Sequence, residues 1–164
     1  MVEPRRRKEE GAPLDGVRIL IVESRYYEDI ADTLLEGAKC ALNAAGAAYD
    51  VVTVPGALEI PQAIVVTLDA AGAETYHGVV ALGCVIRGET SHYDIVAAES
   101  ARALMDVGVG RKIPVGNGIL TVDTVAQAKV RAALDKGDKG GTAARAALAL
   151  VRLKRGLATA HKPR

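Results

Sequence analysis

Val17-Arg18-Ile19-Leu20-Ile21-Val22 is a short run of mostly apolar, β-branched residues. It is too brief for an ordinary helix and reads as a strand buried on both faces, the kind found in parallel sheets covered by helices. Downstream, Ile30, Leu34, Ala38, Ala41, Leu42 and Ala45 recur at three- and four-residue spacing, with Asp32, Glu36, Lys39 and Asn43 opposite and Gly46 as a stop. That pattern predicts an amphipathic helix closed by glycine. The alternation repeats, with strands over 49–54, 78–85 and 114–121 and helices over 60–71, 91–107, 123–134 and 141–154. The order βαβαβαβαα predicts an α/β protein: a three-layer α/β/α sandwich around a four-stranded parallel sheet, flavodoxin-like in outline.

Composition narrows the function. The 164 residues are 49% hydrophobic and 25% charged, enough apolar material for one real core. Lys and Arg number 21 against 20 Asp and Glu, so the net charge of +1 lacks the basic excess of a dedicated nucleic-acid binder. No stretch is long and apolar enough to span a bilayer, and residues 1–13 carry charges where a signal peptide is apolar. A cytoplasmic protein is expected, with Cys40 and Cys84 as ordinary buried thiols. Residues 1–15 read as a mobile charged leader, 16–157 as a single domain and 158–164 as a short tail. Aromatic residues make up only 3% of the chain, so each one present needs a reason.

Ligands on such sheets bind at the carboxyl ends of the strands. Four segments should therefore meet: 23–27, 55–59, 87–92 and 117–121. No P-loop occurs, and Gly116-Asn117-Gly118 lacks the third glycine and the position of a dinucleotide fingerprint. Paired acids of a phosphate-receiving signalling domain are missing too. The richest segment is Arg87-Gly88-Glu89-Thr90-Ser91-His92. Ser91 with Asp94 forms a capping-box pattern, and the helix start it predicts offers unpaired N–H groups to an anion. His92 in the first turn carries the side chain suited to proton transfer near neutrality. Arg131, taken alone, reads as a solvated charge on a helix.

Residues 22–26 (VESRY), 54–61 (VPGALEIP), 81–94 (ALGCVIRGETSHYD), 118–121 (GILT) and 138–141 (DKGG) together resemble the lumazine synthases of riboflavin biosynthesis. The likeness spans about residues 17–153, with the motifs in the family's order. It implies a catalytic domain over 16–157. The implied reaction condenses 5-amino-6-(D-ribitylamino)uracil with 3,4-dihydroxy-2-butanone 4-phosphate to 6,7-dimethyl-8-ribityllumazine, releasing phosphate and water. No metal or organic cofactor is implied, and the partners are the two small-molecule substrates and further copies of the chain, with neither nucleic acid nor membrane. A non-catalytic flavin- or lumazine-binding or shell-forming protein of the same fold is the alternative.

Residue by residue, the resemblance gives Tyr26 the stacking role on the pyrimidine. Ala57, Leu58 and Glu59 hold the ribityl chain, and Cys84, Val85 and Ile86 supply the wall that reads the pyrimidine. Glu89, through its backbone, and Thr90 take the phosphate, with Arg131 reaching in from another subunit. His92 is the proton donor, and Lys139 matches a basic position of the family. Leu58 departs from an aromatic often found there, and Asn117 replaces a Phe at a pyrimidine-side position. A homopentamer with sites at subunit interfaces is implied, and the charged leader and the motif spellings favour the free ring over a sixty-subunit shell.

Overall fold

The computed structural model describes residues 11–161, and its elements alternate as predicted: β1 (Arg18–Ser24), α1 (Glu28–Ala44), β2 (Ala48–Val54), α2 (Glu59–Ala71), β3 (Gly78–Ile86), α3 (His92–Arg111), β4 (Val115–Val122), α4 (Val125–Ala132) and α5 (Lys139–Ala160). The strands form one parallel sheet in the order β2-β1-β3-β4. The three-layer flavodoxin-like sandwich is therefore present. Central strands β1 and β3 are buried along nearly their whole length, whereas edge strand β4 alternates buried and open positions. This is the pattern that burial on both faces, or on one, imposes on a strand.

Two cores flank the sheet. Ile19, Ile21, Val80, Leu82 and Leu120 face α1, α4 and α5, while Leu20, Val22, Val79 and Ala81 face α2 and α3. Burying a side chain such as Leu34, Leu42, Ile60 or Ile64, all fully enclosed, contributes about 1.5–3 kcal/mol each. Alanine lets the layers close: Ala143, Ala144 and Ala147 of α5 are buried, and a Cβ at Gly116 would lie 2.0 Å from the Ala143 carbonyl oxygen.

Some boundaries move for identifiable reasons. α4 is shorter than predicted because Thr124 Oγ1 caps it by accepting from Gln127 N, and Ala133 turns extended at its end. α5 starts two residues earlier, where Asp138, at a left-handed φ of 44°, accepts from Gly141 N. It runs on to Ala160, into the stretch expected as tail. The leader lies outside the described residues up to residue 10. Its last part is tied down: Leu14 is 4% exposed, Leu14 N donates to Ala45 O, and Arg152 donates to Ala12 O. Cys40, expected to be buried, is exposed on α1, where its thiol donates to Glu36 one turn earlier. Position 40 belongs with Glu36 on the polar side of the helix.

The tightest contact is between α1 and α5. A Cβ at Gly140 would lie 1.9 Å from the Leu34 carbonyl oxygen, so the two backbones touch. Gly140→Ala should destabilise the protein by about 3 kcal/mol, since overpacking against backbone leaves nothing soft to yield. Gly156→Ala, in the same helix with nothing near its Cβ, should instead stabilise by about 0.5–1 kcal/mol. Urea midpoints of both variants check this, and equal shifts of the same sign would refute the close-contact reading.

Candidate active site

The sheet order makes its switch between β1 and β3: the chain leaves β1 for α1 on one face and leaves β3 for α3 on the other. A crevice opens where such connections diverge. A cleft of about 570 Å³ lies there, lined from the turns after β1, β2 and β3. Three of the four predicted segments thus converge.

The first wall is aromatic. Tyr26 is 73% exposed and packs edge-on against Tyr27, with ring centroids 5.0 Å apart. Burial raises the Tyr27 hydroxyl above its ordinary pKa. The turn that carries both rings is held by Arg25, whose guanidinium donates to Glu23 and to Asp32 of α1. Glu23 is 2% exposed at the end of β1 and also accepts from Thr53 of β2, which joins the turn to two strands.

The second wall is the turn after β2. Pro55, Gly56, Ala57, Leu58 and Glu59 all line the cleft. A Cβ at Gly56 would approach Glu59 Oε2 to 2.8 Å, so glycine leaves room for that carboxylate to fold back over the turn. Ala57 is buried and anchors the turn, while Glu59 is exposed and free to accept from hydroxyl groups.

The floor and third wall come from β3 and α3. Cys84, Val85 and Ile86 line the cleft, followed by Gly88, Thr90, His92, Tyr93 and Val96. Desolvation pushes the Cys84 thiol up to about 11, so it is a neutral wall at ordinary pH rather than a nucleophile. The expected capping box is absent: Ser91 makes no side-chain cap, and Asp94 pairs instead with Arg87. The start of α3 is accordingly open, with His92 N donating only a long 3.4 Å bond to Thr90 Oγ1. Among the described residues no group of three His, Cys, Asp or Glu is placed to hold a metal.

Three predicted residues stand apart. Glu89 sits in the same exposed turn without lining the cleft. Asn117 is mid-strand in β4, opposite Ala81, and its Oδ1 accepts from Ile119 N. Arg131 is exposed near the end of α4, where Nη1 donates to Gln127 O. Conversely, Tyr93 and Val96 line the cleft without having been predicted, and Tyr27, expected only as part of the segment 23–27 and given no role, lines it too. The scarcity of aromatics was the available signal, since three of the chain's five tyrosines, Tyr26, Tyr27 and Tyr93, meet here.

A sequence model of the family described as 6,7-dimethyl-8-ribityllumazine synthase matches residues 16–155. The chain belongs to the lumazine synthase family. It is 58% identical over 161 residues to a 6,7-dimethyl-8-ribityllumazine synthase of Rhodopseudomonas palustris (strain BisA53), covering 96% of this chain and 99% of that one. An Azorhizobium caulinodans lumazine synthase is 63% identical over 147 residues, 88% of this chain and 91% of the other. A Rhizobium meliloti protein named 6,7-dimethyl-8-ribityllumazine synthase 1 is 62% identical over 148 residues, 89% and 97% of the two chains.

The two thiols of this lumazine synthase family member should differ in reactivity. At pH 8 an aromatic disulfide reagent should modify exposed Cys40 first and buried Cys84 more slowly by about tenfold or more, because a thiol near 11 is only about one part in a thousand thiolate. The bond to Glu36 raises Cys40 as well, but leaves it accessible. A fast phase that survives Cys40→Ser would contradict the neutral-wall assignment of Cys84.

Proposed function

We propose that this cleft is where a lumazine synthase reaction is carried out, joining 5-amino-6-(D-ribitylamino)uracil to 3,4-dihydroxy-2-butanone 4-phosphate and forming 6,7-dimethyl-8-ribityllumazine with release of phosphate and water. The chain is an enzyme of that family, and the non-catalytic alternative is not favoured. The observation that carries the assignment to this cleft is its polarity from end to end. An exposed tyrosine face stands on one side and an open helix start with His92 on the other.

The pyrimidine stacks on Tyr26 and is read along the ends of β3 at Cys84, Val85 and Ile86. Its ribityl hydroxyls meet Ala57, Leu58 and Glu59, whose carboxylate accepts hydrogen bonds. With Leu58 replacing an aromatic, that wall is apolar but lacks a stacking face. The ketone's phosphate lies at Gly88, Glu89 and Thr90, held by backbone N–H groups and the partial positive charge of α3. The ketone carbonyl and the arylamine form an imine with loss of water. Phosphate then leaves, and after tautomerisation the ribityl-bearing nitrogen attacks the remaining carbonyl and closes the ring with loss of a second water. The protein's share is to hold two molecules together and to move protons at His92.

Asn117 and Arg131 lie outside their own cleft, on an open sheet edge and on α4. They would serve a neighbouring subunit's cleft, Asn117 at the pyrimidine edge and Arg131 at the phosphate. Exposed Ile95, Ala98, Met105 and Val109 lie along one side of α3 at spacings of three, seven and four residues, with the charged Arg102 between them, a largely apolar stripe that suits helix packing between copies. A free ring of five subunits is the proposed assembly, in the cytoplasm, where an exposed thiol such as Cys40 stays reduced.

His92→Ala should lower turnover by about a hundredfold with little change in substrate affinity, followed by lumazine fluorescence. Arg131→Ala should raise the apparent Michaelis constant for the phosphorylated ketone far more than for the pyrimidine. Unaltered turnover in the first variant, or equal effects on both substrates in the second, would remove the assigned role. Light scattering checks the assembly: a mass near five chains supports the ring, and an active monomer refutes the shared cleft.

A further inference from the structure

We propose that Arg87 is a positioning residue that straps the turn 88–91 and the first turn of α3 to the β4–α4 connection, and thereby sets the cleft's anion-binding end. The inference rests on reading that turn as the place of the phosphate.

Residues 87–92 are exposed throughout, so packing does not fix their course. Gly88 has nothing within 4 Å of a Cβ position, and Ser91 gives α3 no side-chain cap. What ties the segment down is Arg87. Its backbone N–H donates to Val122 O, carrying the β3–β4 ladder one residue past Ile86. Its Nε donates to Asp123 Oδ1 at 3.1 Å and its Nη1 to Asp94 Oδ1 at 3.3 Å. The guanidinium carbon also lies 4.1 Å from the ring centroid of Tyr93, a cation–π contact. One planar side chain thus joins β3, α3 and the β4–α4 connection.

The anchor is itself fixed. Asp123 N donates to Gln127 Oε1 at 2.8 Å, and Gln127 N donates to Thr124 Oγ1. The connection to which Arg87 is tied is therefore closed by its own hydrogen bonds. Arg87 holds Asp94 and Tyr93, the residues next to His92 on α3, so it acts on the proton donor and the phosphate turn through the helix start. Flanked by two carboxylates, the guanidinium has its charge paired and two of its five N–H donors, at Nε and Nη1, engaged within the chain, which suits a strap better than a phosphate ligand.

Charge and position predict opposite signs, and this makes the test sharp. Asp123→Ala removes a negative charge near the proposed phosphate, so by electrostatics alone phosphate should bind more tightly. If Arg87 is a strap, losing its anchor should weaken binding instead. The probe is inorganic phosphate as an inhibitor competing with the phosphorylated ketone. The expected result is an inhibition constant about tenfold higher in Arg87→Lys, the scale of two exposed ion pairs and one cation–π contact acting together, and about threefold higher in Asp123→Ala, which removes one of those ion pairs. The Michaelis constant for the pyrimidine should stay within about twofold. Amide hydrogen exchange across residues 88–92 should quicken in both variants. Tighter or unchanged phosphate inhibition in Asp123→Ala with unaltered exchange overturns the strap. A harmless Arg87→Lys beside tighter inhibition in Asp123→Ala would make Arg87 a direct ligand, which also overturns it. If phosphate fails to compete with the ketone in the unsubstituted protein, it is the reading of the turn as the phosphate end that falls.

Discussion

The site depends on a constraint of chain direction. β1 and β3 are neighbours in one parallel sheet, yet the chain leaves the first toward the α1 layer and the second toward the α3 layer. Two parallel strands whose connections part in this way cannot cover the gap between their carboxyl ends. The aromatic turn, the turn after β2 and the start of α3 are all consequences of that parting, because each is the first residue group available to border the gap. Even the walls' chemistry follows, since a helix beginning at the rim presents N–H groups and one placed behind it does not.

Each bordering turn is then immobilised by local means. Arg25 fastens the β1 turn to Glu23 and Asp32, and Arg87 fastens the β3 turn to Asp94 and Asp123. Both arginines bridge a strand end to a helix, a task their planar fork with several donors performs and a lysine ammonium does not. The turn after β2 needs no such bridge, because Ala57 is buried and Glu59 folds over Gly56. Beneath the turns, small residues let helices approach the sheet and each other closely, so the strand ends on which the turns stand are held by packing.

Much of this was legible in the sequence where one physical rule acts alone. Continuous apolar runs marked β1 and β3, and spacing marked the helices, because double-sided and single-sided burial leave different periods. Legibility failed where two groups competed for one partner. Ser91 and Asp94 have the spacing of a capping box, but Asp94 is taken by Arg87, 7 residues earlier. Nothing local announces that competition. Cys40 departs from expectation for a simpler reason: cysteine as a type favours burial, but this one follows Glu36 by one turn and so falls on the polar side of α1. Arg131 is assigned to the site by family likeness alone, whereas Asn117 also fell in the segment that the strand-end rule places there, yet it stands mid-strand, away from the cleft lining.

Asn117 has a consequence in another direction. β4 is a sheet edge, and in an isolated chain an edge presents unpaired N–H and C=O groups on which a foreign strand can grow. Asn117 Oδ1 takes up the Ile119 N–H at 2.9 Å, occupying one of those donors from within the strand. A phenylalanine at this position has no atom to do so. The chain therefore carries a blunted edge, a poorer template for misdirected strand addition and aggregation.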